Sequence, residues 1–593
     1  MLVGPVFTRE AVTAPRRPRH FVARATYVSI FLLLMCTAWL VLAGTQLVRS
    51  VGDLARFGVI VFQILAPLQL ALVLFFAALS CAAAVSQEKD RRTLILLLVT
   101  DLRNHEVVLG KLLASLLGVF VLIAASVPLF VAMTLLGGVE LAQIGRVFAI
   151  TLLTAVVAGS LGSTIALWRE KTFQSLALTS LVLVFWLGAW EIVARLPEEA
   201  TFLGLVPQMW AAAFSPWRAV LEATRPSWQM TSGTPGAGFF SLFYLAATAA
   251  ICCLLNGVAI LRLRRWNPSR EVRSGTPSLP RESLFQSEAE LVKGSEPQTS
   301  APFARGTSRR VWTQPVLWRE MRTWAYGRKV LAVRATYLVL FLLGGAGLAA
   351  MPTFERGDVA LVAIPLFLLS LILINAQGVT SLTTERDSKS IDLLLVTLIS
   401  PREFVFGKLL GVFYNCKEMV LLPLLLCGYL WWREALTLET FCYLAGGLLV
   451  MDLFVAVVGL HSGLIHETTR IAIGTSLGTV FFLFVGVATC MRIMVAFSGS
   501  FHFQLAPFLA VMLGGGVGLY VSLGARNASN AIFWASFICP FATFYAITSF
   551  LLGDTLAVFL VTVAAYGFAT AAMLVPAVHA FDVATGRALS GEG

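Results

Sequence analysis

Few side chains in this sequence of 593 residues are placed to bind or react, and those that are come in pairs. The segment EKDRRTLILLLVTDLRNHEVVLGKLL (88–113) aligns without gaps on ERDSKSIDLLLVTLISPREFVFGKLL (385–410), with 13 identities in 26 positions. Leucine matches between apolar segments are cheap, so the polar ones decide. Glu88, Asp90, Thr100, Glu106, Gly110 and Lys111 recur as Glu385, Asp387, Thr397, Glu403, Gly407 and Lys408. The runs Asp90–Thr93 and Asp387–Ser390 can each place a carboxylate at a helix N-cap, where it accepts from free backbone N–H groups. The leucines that follow (Leu96 and Leu97, Leu393 and Leu394) belong to segments too short to span a membrane. They fit a short helix lying on the membrane surface or docked to a partner. This is the chemistry of positioning and docking. The six histidines have no ligand-spaced partners, and the nine cysteines lie in or beside apolar segments, so no metal site is expected. No G-x-x-x-x-G-K-[ST] phosphate loop occurs; Gly110-Lys111 and Gly407-Lys408 are each followed by leucine. The chain is therefore not expected to be an enzyme.

The elements that carry these residues are membrane spans. Hydrophobic residues make up 58% of the chain and charged ones 13%, against about 45–50% and about 25% for soluble domains. Apolar runs predict spans near 25–48, 57–85, 112–136, 147–167, 173–195 and 237–263 in the first half. The second half has runs near 331–351, 358–382, 409–431, 440–460 and 471–497, followed by 505–524, 529–552 and 555–579. Each is long enough for the ~20 residues that a crossing helix needs. If 505–524 and 529–552 both cross, the count is 14; if neither does, it is 12. The first run is long enough to stay in the membrane and does not read as a cleaved signal.

Basic residues are retained on the cytoplasmic side. With the N-terminus inside, segments 1–24, 86–111, 168–172 and 262–313 hold 22 Lys and Arg, whereas 49–56, 137–146 and 195–236 hold six. Both termini are thus expected in the cytoplasm. The net charge of +12 is mostly this topogenic signal, and it needs no nucleic acid to explain it.

The similarity between halves extends beyond the block. Pro5-Val6-Phe7-Thr8-Arg9-Glu10 recurs as Pro315-Val316-Leu317-Trp318-Arg319-Glu320, and Arg24-Ala25-Thr26-Tyr27 as Arg334-Ala335-Thr336-Tyr337. Glu170-Lys171-Thr172 keeps register with Glu467-Thr468-Thr469. The expected fold is all-α, a polytopic membrane protein of two parallel six-span repeats with 12–14 transmembrane helices. Residues 1–265 form the first unit and 314–593 the second. Residues 266–313, rich in Pro, Ser, Gly and Glu, read as a flexible cytoplasmic linker. Parallel repeats imply a pseudo-two-fold axis along the membrane normal.

With these residues in view, the sequence resembles the type-2 permease family of ATP-binding-cassette (ABC) transporters, whose loop between spans two and three reads like E-x-D-x-x-[TS]-x-x-LLL-x-T followed by E-x-x-x-GK. The likeness implies that two half-permeases are fused in tandem. Glu88, Asp90, Thr93, Leu96, Leu97, Thr100, Glu106, Gly110 and Lys111 would form one ATPase-coupling loop. Glu385, Asp387, Ser390, Leu393, Leu394, Thr397, Glu403, Gly407 and Lys408 would form the other. It further implies a separate ABC ATPase subunit that binds the ATP, no cofactor in this chain, a location in the plasma (cell inner) membrane, and export of an unknown substrate. Residues 5–19 and 315–329 would be interfacial helices. Trp210–Val220 would be a short outer helix, with Trp534–Phe544 as its counterpart and Pro216 matching Pro540.

Charged groups at membrane depth usually face a bundle interior. Asp452 is the candidate for the substrate path, and its counterpart is Ala155. Lys417 and Glu418 could pair locally, and Glu191 and Arg492 lie near span ends. An ion-driven secondary transporter or channel is the alternative. It would predict polar residues matched between halves near mid-membrane, whereas the matched ones here lie in the loops. The charge asymmetry predicts that a cysteine introduced at Gly233 reacts with an impermeant reagent added outside cells, while one at Ser283 does not. The reverse labelling would overturn the orientation.

Overall fold

A computed structural model describes residues 4–13, 18–45, 51–194, 206–225, 237–267, 312, 314–322, 330–349, 356–391, 399–496, 501–526, 529–579 and 581. Among the described residues all regular structure is helical. The protein is a multi-pass helical membrane protein, with 13 helices among the described residues long and apolar enough to cross a bilayer. The reason is general: in hydrocarbon, a backbone polar group must be bonded within the protein, and a helix bonds all of its own.

In chain order the helices are α1 (Gly4–Thr13), α2 (Pro18–Thr45), α3 (Val51–Asp90), α4 (Thr93–Val99), α5 (Asn104–Ala132), α6 (Leu141–Trp168), α7 (Thr172–Val193), α8 (Pro207–Phe214), α9 (Pro216–Ala223) and α10 (Ala237–Trp266). Then follow α11 (Pro315–Arg322), α12 (Val330–Ala349), α13 (Arg356–Asp387), α14 (Pro401–Asn415), α15 (Lys417–Trp432) and α16 (Leu438–Ile465). The last four are α17 (Thr469–Ala496), α18 (Phe501–Leu523), α19 (Asn530–Leu552) and α20 (Thr555–His579). Most of the 266–313 segment lies outside the described residues.

Helices α14 and α15 meet at a 56° bend and are together long and apolar enough for a broken span or a re-entrant loop. The break at Cys416 frees carbonyls, and the Arg334 guanidinium donates to one of them, Asn415 O, at 2.9 Å. Arg334 also pairs with Glu418 at 3.4 Å. Glu418 therefore does not pair with Lys417, whose ammonium instead lies 5.3 Å from the Tyr414 ring centre.

The runs at 505–524 and 529–552 are both full-length helices. Near one end of α18, Gln504 donates to Met494 O at the end of α17 (3.2 Å). At the other end the Leu523 carbonyl meets His461 Nε2 at 2.8 Å. Trp534–Phe544 lies inside the continuous α19 and is not a short helix like α8 or α9. The two prolines act differently. Ser215 is extended, as residues before proline prefer, and its hydroxyl accepts from Arg218 N, so Pro216 starts a new helix. Pro540 is instead absorbed into α19.

Tight crossings hold the bundle. At Gly162 on α6 an added Cβ would lie 2.3 Å from Ala78 O of α3, and at Gly459 on α16 it would lie 2.6 Å from Asn375 O of α13. Small residues let backbones approach, which is how helices associate where lipid is as apolar as the side chains. Polar contacts add direction: Asn375 Nδ2 donates to Val455 O at 2.9 Å, and Ser476 Oγ donates to Asn375 Oδ1 at 2.8 Å. Gly162→Ala should destabilise the solubilised protein by about 1–3 kcal/mol, the usual penalty of overpacking. Gly257→Ala, where nothing lies within 4 Å, should not. Equal melting of the two variants would mean that α3 and α6 do not pack backbone to backbone.

Candidate functional site

The repeated block gathers at one end of the bundle. Helix α3 runs through Asp90, and Arg92, at φ 59°, turns the chain into α4. Lys389 repeats the same turn at φ 57° after α13. Asp90 does not cap the helix after it, contrary to the N-cap reading, and the segment after Asp387 lies mostly outside the described residues. The α4 cap position is Arg92, and it makes no side-chain cap bond. Asp90 and Asp387 instead sit at the ends of α3 and α13, facing inward. Thr172 Oγ1, first residue of α7, donates to Asp90 at 2.5 Å. Thr469 Oγ1, first residue of α17, donates to Asp387. The left-handed turn explains this, because it sends the next segment away and leaves the carboxylate facing the neighbouring helix start.

Thr93 and Ser390 close these turns, each hydroxyl donating to the carbonyl of Glu88 or Glu385 (3.2 and 3.1 Å). Glu106 and Glu403 serve the next helix start: Arg103 N and Ser400 N donate to their carboxylates at 3.0 and 3.1 Å. These are capping bonds of α5 and α14. Gly110 is buried on α5, on which α1 packs. At Gly407 a Cβ would come 3.0 Å from Val316 Cβ, so this glycine admits α11 against α14.

The lysines of the block are drawn inward. Lys111 pairs with Glu88. Lys408, 1% exposed, contacts Glu320 at 2.6 Å and Glu385 at 2.7 Å, and Arg319 also pairs with Glu385. Lys408 is buried because α11 covers it and supplies Glu320. The signal for that contact was present in the recurring Arg9-Glu10 and Arg319-Glu320. His466, in the α16–α17 turn, is pushed down to about 4, by burial first and then by His461, Arg386 and Arg526. It is neutral at pH 7.

One ion pair joins the two blocks. Arg91 donates to Asp387 Oδ1 through Nη2 at 2.9 Å and through Nε at 3.1 Å. A second link, Arg470 Nη2 to Ser115 O at 3.2 Å, ties α17 to α5.

Helix α4 has two faces. Leu94 and Leu98 are buried with Val85, Val107 and Leu263. Ile95, Leu96 and Val99 are 41%, 68% and 71% exposed, Leu97 is half-buried, and Thr100 is exposed. The corresponding Leu393, Leu394 and Thr397 lie outside the described residues. Asp452 is buried near the middle of α16. Glu191 is bound at the opposite end by Arg218, at 3.0 and 2.7 Å. Among the described residues no group of His, Cys, Asp and Glu is arranged to hold a metal.

Lys408→Met should lower stability by about 3–5 kcal/mol, because it leaves buried carboxylates without their cation. Removing Glu320 as well (Lys408→Met with Glu320→Leu) should recover much of that, since Arg319 still serves Glu385. A double variant no better than the single one, by thermal unfolding in detergent, would show that the cluster is not held by charge. No protein-family model, curated protein or solved structure matches this chain.

Proposed function

We propose that this chain is the membrane permease of an ABC transporter, with two half-permeases fused in tandem and a separate ATPase subunit as its motor. The carrying observation is the apolar outer face of α4, with Ile95, Leu96 and Val99 exposed on a helix whose other face is fixed to the bundle. At the headgroup-to-water boundary such a face needs a cover, and an ATPase groove would supply it. In this reading that face and both termini are cytoplasmic, as the positive-inside asymmetry favours, and by likeness to the family the membrane is the plasma (cell inner) membrane.

Paired contacts support two parallel units. Helix α3 packs on α6 as α13 does on α16, α6 on α10 as α16 on α20, and α7 on α13 as α17 on α3. With α14 and α15 taken as one span, the second unit has eight spans against six, the hairpin of α18 and α19 being the surplus. In this reading, ATP-driven closure presses on α4. The push passes through Leu94 and Leu98 and the Glu88–Lys111 pair into α3 and α5, and through Arg91–Asp387 into the other half. Export is the direction we assign, by likeness to the family.

Leu96→Asp with Val99→Asp tests this without touching the inward anchors. The variant should insert normally but lose co-purification with an ATPase from its native host. Charges set into an apolar contact cost about 1–3 kcal/mol each, or about tenfold and more in affinity. Arg265→Glu, on the same face, is the control. Unchanged association and unchanged substrate-stimulated hydrolysis would sink the coupling reading and favour an ion-driven transporter that uses the buried Asp452.

A further inference from the structure

The two halves do not meet alike. On one side α12 packs directly on α7, with Val333, Tyr337 and Phe341 in one core with Phe173, Ala177 and Leu181. On the other, α2 meets the Val487–Ala496 stretch of α17, where Phe31, Leu34 and Ala38 share a core with Val487, Cys490 and Ile493. Beside that contact lies an apolar cavity of about 460 Å3, with Phe31 on one wall and Phe481 on the other. That is within the about 300–1,000 Å3 of small-molecule sites. One exchange marks the difference. Tyr337 bonds Ser370 through its hydroxyl at 2.6 Å. Its counterpart Tyr27 has Val73 at the corresponding place; both line the cavity, and the Tyr27 hydroxyl is buried without a hydrogen-bond partner.

Two further spaces lie along α3 and α17 between this cavity and the motif face. A gap of about 20 Å3 shares Phe76 with it and Arg470 with a second cavity of about 520 Å3. The second cavity is lined by Arg9, Arg91, Lys111 and Arg470 against Glu10 and Glu88. Arg470 has no basic counterpart, since Phe173 holds its place in the first half. A basic chamber at the membrane surface, in line with an apolar one at membrane depth, matches a molecule with an anionic head and a hydrocarbon tail.

We infer that the cleft between α2 and α17 binds an anionic membrane lipid, with its headgroup by Arg470 and its acyl chain between Phe31, Phe76 and Phe481. As the transported class, this rests on the permease reading; as a binding site, it does not.

The test uses the full chain without any ATPase, in phosphatidylcholine nanodiscs carrying a photoactivatable phosphatidic acid or a photoactivatable phosphatidylcholine. The phosphatidic acid probe should label α2, α3 and α17 around the cavity, in preference to phosphatidylcholine. Gly478→Leu should cut this labelling about tenfold, because a Cβ at Gly478 meets only Phe76, at 3.9 Å, and the side chain enters the open space. Thr26→Trp at the rim is the second filling variant, should the first fold poorly, and Gly567→Leu on α20 is the control. Arg470→Gln should bring phosphatidic acid labelling down to the phosphatidylcholine level, an effect of about tenfold for one charged hydrogen bond. Labelling spread evenly over the lipid-facing helices, or unmoved by both filling variants, would mean ordinary boundary lipid and overturn the site. Equal labelling by the two probes in the unaltered chain would overturn the headgroup assignment. Neither failure touches the α4 docking test, which reads ATPase association alone.

Discussion

A backbone in hydrocarbon has no water to bond, and the rest of this protein follows from that constraint. It makes every crossing segment a helix, and it leaves packing and a few polar bonds to hold the helices together. It also sends most of the charge to the ends of the bundle, where the architecture is then decided. Where a helix does break in the apolar region, at Cys416, a guanidinium comes in to bond a freed carbonyl.

At the motif face the charges act as fasteners. Asp90 and Asp387 anchor the starts of α7 and α17, Glu88 and Glu385 hold Lys111 and Lys408, and Arg91 reaches across to Asp387. Little of this polar chemistry points outward. What α4 offers to a partner is apolar: Ile95, Leu96 and Val99. The proposed docking face is held from behind by Leu94 and Leu98 and by the partly exposed Glu88–Lys111 and Arg91–Asp387 pairs.

The halves differ where their sequences differ. Tyr337 finds Ser370, while Tyr27 has Val73 at the matching position; α7 packs on α12, while a cavity lies beside the contact of α2 with α17.

The sequence by itself determined the helical membrane class, because apolar length alone decides whether a segment spans. It also singled out the polar pairs of 88–113 and 385–410, which stand out against leucine. Even Thr172 and Thr469 were visible as a register match. It did not determine what those residues touch. The spacing that predicts an N-cap for Asp90 also fits a carboxylate turned inward, and only the left-handed turn at Arg92 chose between them. Nor could it bury Lys408, which needed α11, far away in sequence, to bring Glu320 over it. The fate of 505–552 and the cleft beside α2 were likewise decided by tertiary packing. Hydropathy measures each segment against lipid, and only the folded bundle measures segments against each other.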